Sequence, residues 1–315
     1  MLKNKSLMII TDGKIGTENQ CIGLADNLVE SYEVKRIQVK KIWDAINPYV
    51  RIDAINPSKE SFSSYPDVLI VSGRRAVATG LHIKYKSPKT VLICVQDPRV
   101  ARDKFDYIVV PEHDTYRGSN AIVTVGAMHK LTDKKIKAEG KRLKGLFSGL
   151  KKDKTVAVLI GGNSCNHKID LDLTKKIIYD IKESAKQLKA NVVLTASRRT
   201  PEDCFDLIKK ELGKMKNAYV YKGEGDNPYF AFMDIADYVF VSNDSISMLT
   251  EATFTGKPVY LIELEGGSKK FDKFHNGLKD KGIVRVLGKD KLEDYKYKRI
   301  ENAKDVAKKI EKELK

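Results

Sequence analysis

Short runs of consecutive apolar residues alternate with amphipathic stretches from one end of this chain to the other. Leu7–Thr11 (LMIIT), Val34–Val39, Val68–Ser72, Val91–Val95, Tyr107–Val110 and Ala121–Val125 read as strands in the first half. Helical spacing falls between them, most clearly over Glu18–Glu30 and Arg75–Lys84. A strand with one face in water alternates apolar and polar residues. Continuous apolar runs separated by helices therefore predict a parallel sheet covered on both faces. The stretch 133–154 reads as a basic helix ending in Ser148-Gly149-Leu150-Lys151-Lys152-Asp153, a composition suited to a linker.

Beyond it the pattern restarts. Strands are expected at Val156–Ile160, Asn191–Thr195, Ala218–Tyr221, Tyr238–Val241 and Val259–Ile262. Helices are expected at Leu171–Leu188, Pro201–Leu212, Pro228–Ala236, Ile246–Phe254 and about 303–314. The fold class that follows is α/β, with two doubly wound, Rossmann-like parallel-sheet domains. The expected division is 1–150 and 151–315, with the closing helix 303–314 able to pack back on the first domain. A length of 315 residues exceeds what one hydrophobic core usually organises, in keeping with two domains.

Composition narrows the classes. At 42% hydrophobic and 32% charged residues the chain is an ordinary globular one. No window approaches the eighteen or so apolar residues of a membrane span, and no signal peptide is visible, so a cytoplasmic location is expected. Cys21, Cys94, Cys165 and Cys204 are isolated and read as reduced thiols. The five histidines show no zinc-ligand spacing, and no metal site is expected. The net charge of +16 is spread over both halves: 25 Lys/Arg against 16 Asp/Glu in 1–150, and 33 against 26 in the rest. That favours anionic partners, although solvated lysines alone give the same balance. No nucleic-acid-binding motif accompanies the charge, so nucleic acid is not an expected partner.

In doubly wound sheets ligands bind beyond the carboxyl ends of the strands, at helix N-termini. The loops that fall on that edge in the second half carry Gly161, Gly162 and Asn163, then Ser197, Arg198 and Arg199, then Asp226 and Asn227, and finally Asp244, Ser245 and Ser247. Glycines admit close approach of backbone N–H groups to an anion. Guanidinium forks match phosphate oxygens, and a hydroxyl at a helix start donates to phosphate. Glu251, further along the last helix, is placed to accept from ribose hydroxyls. Together they describe a nucleoside diphosphate site. Singly, each has a plainer explanation: a turn at Gly161-Gly162, Thr200 as N-cap with Pro201 at the first helical position, and Asp244 as N-cap. Asp170-Leu171-Asp172 imitates a metal-binding D-x-D but opens a helix and reads as a cap. In the first half, Asp12, Glu18 and His113 stand in charged loops and are the candidates for a general base. Compensation of a helix dipole explains Glu18 equally well.

The motifs DGKIGTENQCIGLADNL, SGRRAV, QDPRVARDKFDYIVVPEHD, VTVGAMHKL, VLIGG, TASRRTPED and GDNPYFAFMDIADYVFVSNDSISMLTEATFTGKPVY, in this order over about 11–260, resemble the elongated-mitochondria family. That family comprises plant mitochondrial fission factors and bacterial relatives regarded as glycosyltransferases. The resemblance implies the GT-B fold, two such domains facing a cleft, with donor nucleotide on the C-terminal domain and acceptor on the N-terminal one. It implies a metal-independent transfer from a nucleotide-sugar to a cell-envelope lipid or glycan acceptor, with the protein peripheral at the inner face of the cytoplasmic membrane. The basic segment 134–152 fits an anionic membrane surface. No permanently bound cofactor is implied. One departure is clear: the family usually has His before Glu-Asn-Gln, and here that place is Thr17. The base would then fall to Glu18 or Asp12. The rival readings are a non-catalytic GT-B scaffold or membrane-remodelling factor, and a sugar-nucleotide epimerase on the same fold.

Overall fold

The computed structural model describes residues 1–41, 43 and 53–314. The chain divides into two compact units, residues 1–130 with 301–315, and residues 131–300. In the first unit β1 (Leu7–Thr11) leads into α1 (Ile15–Leu28) and β2 (Glu33–Arg36). Then follow β3 (Val68–Ser72), α2 (Arg74–Lys86), β4 (Val91–Val95), β5 (Tyr107–Pro111) and β6 (Ala121–Thr124). Every pairing is parallel, in the order β2-β1-β3-β4-β5-β6. Side chains of β1 alternate between two cores, which is why its sequence is apolar throughout. Leu7 and Ile9 join Leu24 and Leu28 of α1, whereas Met8 and Ile10 join Val77 and Leu81 of α2. The second strand is shorter than its apolar run suggests. It ends at Arg36, and Val39 makes only an isolated bridge to Ser58.

The second unit opens with α3 (Asp133–Arg142). Its order is then β7 (Lys154–Ile160), β8 (His167–Lys168), α4 (Leu171–Leu188), β9 (Ala190–Ala196), α5 (Glu202–Leu212), β10 (Ala218–Val220) and α6 (Tyr229–Ile235). There follow β11 (Tyr238–Ser242), α7 (Ile246–Phe254), β12 (Val259–Ile262), β13 (Glu265–Gly266), α8 (Lys269–Asp280) and β14 (Val284–Val286). Its main sheet is parallel, ordered β10-β9-β7-β11-β12-β14. Besides the two-residue strands β8 and β13, two elements escape the pattern of apolar runs, α8 and β14. The first buries Phe274, His275 and Leu278 at helical spacing within a very charged segment, and the second is too short to show a period.

The contact boundary at 130/131 falls ahead of the linker expected at 148–153, because α3 belongs with α6. Gly140 of α3 lies so close to Asp234 of α6 that a β-carbon there would sit 1.9 Å from its carboxylate. Ion pairs Asp133–Arg299 and Arg142–Asp226 hold the two ends of α3. The last helix, α9 (Asn302–Glu313), returns to the first unit. Its Ala303, Val306, Ala307 and Ile310 enter the same core as Leu24 and Leu28 of α1.

Candidate functional site

The order of strands dictates where each sheet opens. In the second unit the chain leaves β7, adds β9 and β10 on one side, then crosses to β11 on the other. The crevice between β7 and β11, beyond their carboxyl ends, is the place where such sheets hold ligands. The loops 161–164 and 243–245 lie there, as the apolar runs predicted.

Asp244 is the hub of this crevice. Its side chain is fully buried while that of Arg199 is 43% exposed, and Arg199 Nη2 donates to Asp244 Oδ2 at 2.6 Å. The same oxygen accepts the Gly162 N–H at 3.1 Å, and Oδ1 accepts the Ser242 hydroxyl at 2.6 Å. Ser242 Oγ accepts in turn from the Gly161 N–H at 2.7 Å. Thr200 Oγ1 donates to the Gly161 carbonyl. A β-carbon at residue 161 would meet the Asp244 carboxylate at 2.0 Å, and one at residue 162 would meet the Arg199 carbonyl carbon at 2.2 Å. Glycine is therefore required by close packing of the three loops. The Gly161 and Gly162 N–H groups, expected to face an anion, donate to Ser242 and Asp244 instead. Asp244 is not an N-cap either. Ser245 caps α7, its hydroxyl accepting from Met248 N at 3.3 Å. Thr200 does not cap α5, which begins at Glu202 with Pro201 in the cap position. Asp170 does cap α4, accepting from Leu173 N at 2.8 Å.

The remaining predicted residues surround that hub. Asn163 Oδ1 accepts from Ile169 N at 2.8 Å and shapes the loop after β7. Ser197 Oγ accepts from Arg199 N at 3.1 Å and turns the loop after β9, leaving Arg198 exposed at its tip. Ser247 is half-buried in the first turn of α7. Glu251 accepts the Tyr229 hydroxyl at 2.6 Å. Burial first, then the Glu251 charge and hydrogen bond, push the Tyr229 phenol well above its ordinary value, so it remains a donor. Asp226 pairs with Arg142, and Asn227 Oδ1 accepts from Tyr229 N at 3.0 Å. The opening of the following strand has a structural task. Lys257 Nζ donates to the Met233 and Asp234 carbonyls at 2.6 Å, closing the end of α6.

Beside the hub lie two buried histidines that the sequence did not single out. His167 packs edge-on against Phe271 with ring centroids 4.6 Å apart, and His275 lies 5.8 Å from the same ring. Neither His167 ring nitrogen has a hydrogen-bond partner. Burial, followed by the neighbouring His167 and Lys279, pushes His275 down to about 4. Burial lowers His167 as well. The unfolded chain, with histidine near 6.5, takes up a proton that folded His275 refuses until about pH 4. Stability is thus expected to fall as pH drops between those values, by up to about 3 kcal/mol, and this contribution levels off below. Urea midpoints across pH 4 to 7 check this, and His275→Gln should flatten the slope.

In the first unit, crossing from β1 to β3 makes the corresponding crevice. Asp12 stands there with a side chain only 3% exposed, 3.3 Å from Lys14 Nζ. Gly73 at φ +89 abuts it, and a β-carbon on Gly73 would lie 3.5 Å from the Asp12 carboxylate. Glu18 is buried on α1 and accepts from Arg36 through both oxygens, at 2.9 and 2.7 Å. His113 is buried directly after β5. Thr17 bonds locally to the Lys14 carbonyl at 3.0 Å. The structure thus brings Asp12 to the crevice and engages Glu18 in an ion pair. Among the described residues no group of three or more His, Cys, Asp or Glu could hold a metal ion.

Two Rossmann-like parallel sheets of this kind define the GT-B type of fold. The solved UDP-GlcNAc 2-epimerase of Neisseria meningitidis, bound to UDP-GlcNAc, superposes with a TM-score of 0.55, covering 98% of this chain and 99% of that one at 13% identity. MurG of Acinetobacter baumannii superposes with a TM-score of 0.50, covering 98% of this chain and 90% of that one at 11% identity. The chain belongs to the mitochondrial fission ELM1 family, whose profile matches residues 15–314. The mitochondrial fission protein ELM1 of Arabidopsis thaliana is 26% identical over 79% of this chain, and the match spans 64% of that protein, less than two thirds of its length. The protein RP120 of Rickettsia prowazekii (strain Madrid E) is 25% identical over 98% of this chain and 99% of its own length. Among the described residues no helix is long and apolar enough to cross a membrane.

Proposed function

We propose that the second unit binds a nucleoside diphosphate-sugar and that the protein transfers the sugar, without a metal, to a lipid or glycan acceptor of the cell envelope. The observation that carries this is the Asp244 hub, a buried carboxylate that fixes three loops at the switch point of a sheet. A simple turn needs no such lock. With the loops fixed, the start of α7 directs backbone N–H groups and the Ser247 hydroxyl at a diphosphate, and Arg198 supplies an exposed guanidinium. Glu251, oriented by Tyr229, accepts from the ribose. Asp12 is the general base, since Glu18 would have to leave Arg36 to serve. The likeness in fold to an epimerase solved with UDP-GlcNAc bound supports the substrate class.

Isothermal titration with UDP and UDP-GlcNAc tests the donor site. Arg198→Ala should weaken UDP binding about ten- to a hundredfold, the equivalent of roughly 1.5–3 kcal/mol. Glu251→Gln should weaken UDP but spare pyrophosphate. Unchanged UDP affinity in both variants would sink the reading. Product analysis with UDP-GlcNAc alone and with lipid extract separates transfer from epimerisation, and absence of both reactions despite binding favours a scaffold. Peripheral attachment to an anionic membrane face is part of this proposal. Lys134, Lys135, Lys137 and Lys141 stand exposed along α3, whose acidic Asp133 and Glu139 are paired with Arg299 and Arg142. Cosedimentation with phosphatidylglycerol vesicles should be strong at low salt and lost as salt screens the charges. No binding at low salt contradicts it.

A further inference from the structure

The chain between α3 and β7 has more built into it than a linker requires. From 133 to 154 it carries nine Lys/Arg against three Asp/Glu. Lys134, Lys137, Lys141 and Lys144 recur at helical spacing, so they form one exposed stripe along α3 and the turn after it. Ile136, Gly140 and Phe147 also recur at helical spacing and are buried against the second unit. Leu146, 43% exposed, stands in the short 3-10 turn Lys144–Phe147, with the half-buried Leu143 and Leu150 beside it. We propose that this leucine turn enters the acyl layer of an anionic bilayer while the lysines around it hold lipid phosphates. The contact rests on the membrane attachment proposed above, to which it adds the place of contact and the entry of apolar side chains.

A single exposed leucine on a protein surface calls for no explanation. This one is held out by its neighbours. Phe147 packs edge-on against Tyr219 and tilted against Phe232, with ring centroids 5.9 and 5.8 Å away, so Leu146 at the adjoining position stays in solvent. The turn is tight: Leu146 N–H donates to the Leu143 carbonyl at 2.9 Å and Leu150 N–H to the Phe147 carbonyl at 3.0 Å. Its exit is tied down as well. Lys152 N–H donates to Asn191 Oδ1 at 3.1 Å, and the Lys152 carbonyl accepts from Asn191 Nδ2 at 2.8 Å. A turn fixed in this way presents its leucines with little ordering cost on contact. Charge complementarity names the partner. Of the three acids in the stretch, Asp133 pairs with Arg299 and Glu139 with Arg142. Neighbouring elements bring four more: Asp226 pairs with Arg142, Asp294 with Lys154, Asp237 accepts the Thr155 N–H at 2.7 Å, and Asp234, against Gly140, has Lys257 beside it. With all of these counted, the nine cations of the stretch remain in excess. A lysine rim around an apolar tip matches the two layers of an anionic bilayer, phosphate outside and hydrocarbon within. One turn adds too little apolar area to hold the protein alone, so release by salt is still expected.

Fluorescence of Leu146→Trp in the full chain tests this, read against the wild type, whose one tryptophan is Trp43. Phosphatidylglycerol vesicles carrying phosphatidylcholine brominated on its acyl chains should shift the new emission to the blue and quench it beyond the Trp43 background. In cosedimentation with phosphatidylglycerol vesicles at low salt, Leu146→Ser should weaken binding about three- to fivefold, since less than half of the side chain is left to bury. Lys144→Gln should weaken it about fivefold. Both positions are exposed, and both variants should melt as the wild type does. Vesicle binding that leaves the new tryptophan unquenched, or Leu146→Ser binding as tightly as the wild type, overturns the leucine contact and leaves the electrostatic attachment standing. Wild-type protein that ignores the vesicles at low salt overturns both. A blue shift that appears without lipid and grows with protein concentration shows a second copy covering the turn, and overturns the bilayer contact too.

Discussion

Asp244→Ala is expected to be the most damaging single change in the second unit. It removes the acceptor of a guanidinium, a buried backbone N–H and a buried hydroxyl at once. Breaking a fully buried ion pair costs about 3–5 kcal/mol, but the Arg199 side chain is 43% exposed and recovers part of its hydration. The orphaned Gly162 N–H and Ser242 hydroxyl add to the cost. A net loss of roughly 2–4 kcal/mol follows, with UDP binding reduced beyond detection because the loops are no longer fixed. Calorimetry and UDP titration of the same variant measure both. Asp244→Asn keeps the shape but turns a donor toward other donors, and should retain only part of the stability. Wild-type melting and wild-type UDP affinity in Asp244→Ala would show that the hub organises nothing.

Gly162→Ala is the second. The added β-carbon falls 2.2 Å from both the carbonyl carbon and oxygen of Arg199 and 2.4 Å from Thr200 N. These are backbone atoms, so relief requires the loops after β7 and β9 to separate. Overpacking of this kind costs about 1–3 kcal/mol and at times more, and the upper end is expected here. For a unit of this size that is a fall of very roughly 6–12 °C in Tm. Gly145→Ala is the matched control, since a β-carbon there meets nothing within 4 Å and should leave Tm almost unchanged. Equal melting of the two variants would contradict the packing described.

Much of the fold follows from local pattern. Strands buried on both faces must be apolar throughout, so Leu7–Thr11, Val68–Ser72 and Val156–Ile160 are visible as runs, and parallel pairing follows from the helices between them. What lies between 265 and 290 was obscure. The segment is rich in charge, and the periodicity of Phe271, Phe274, His275 and Leu278 is diluted by lysines. The candidate residues of the donor loops were also legible, because strand ends and helix starts fix which loops share an edge.

Their roles were not legible. Sequence places Gly161, Gly162, Arg199 and Asp244 on one edge but does not say which of them bind one another. Hydrogen-bond partners far apart in the chain are set by the strand order β9-β7-β11, which brings the three loops together. The same holds in the first unit, where Glu18 and Arg36 look independent until β2 pairs with β1 and delivers Arg36 to the carboxylate. The sequence by itself determined the two sheets, because burial acts on each run locally. Only the tertiary structure decided that Asp244 and Glu18 are held by arginines while Asp12 stands at the edge of the first sheet. A charged side chain takes the partner that packing brings within reach, and sequence spacing does not measure that distance.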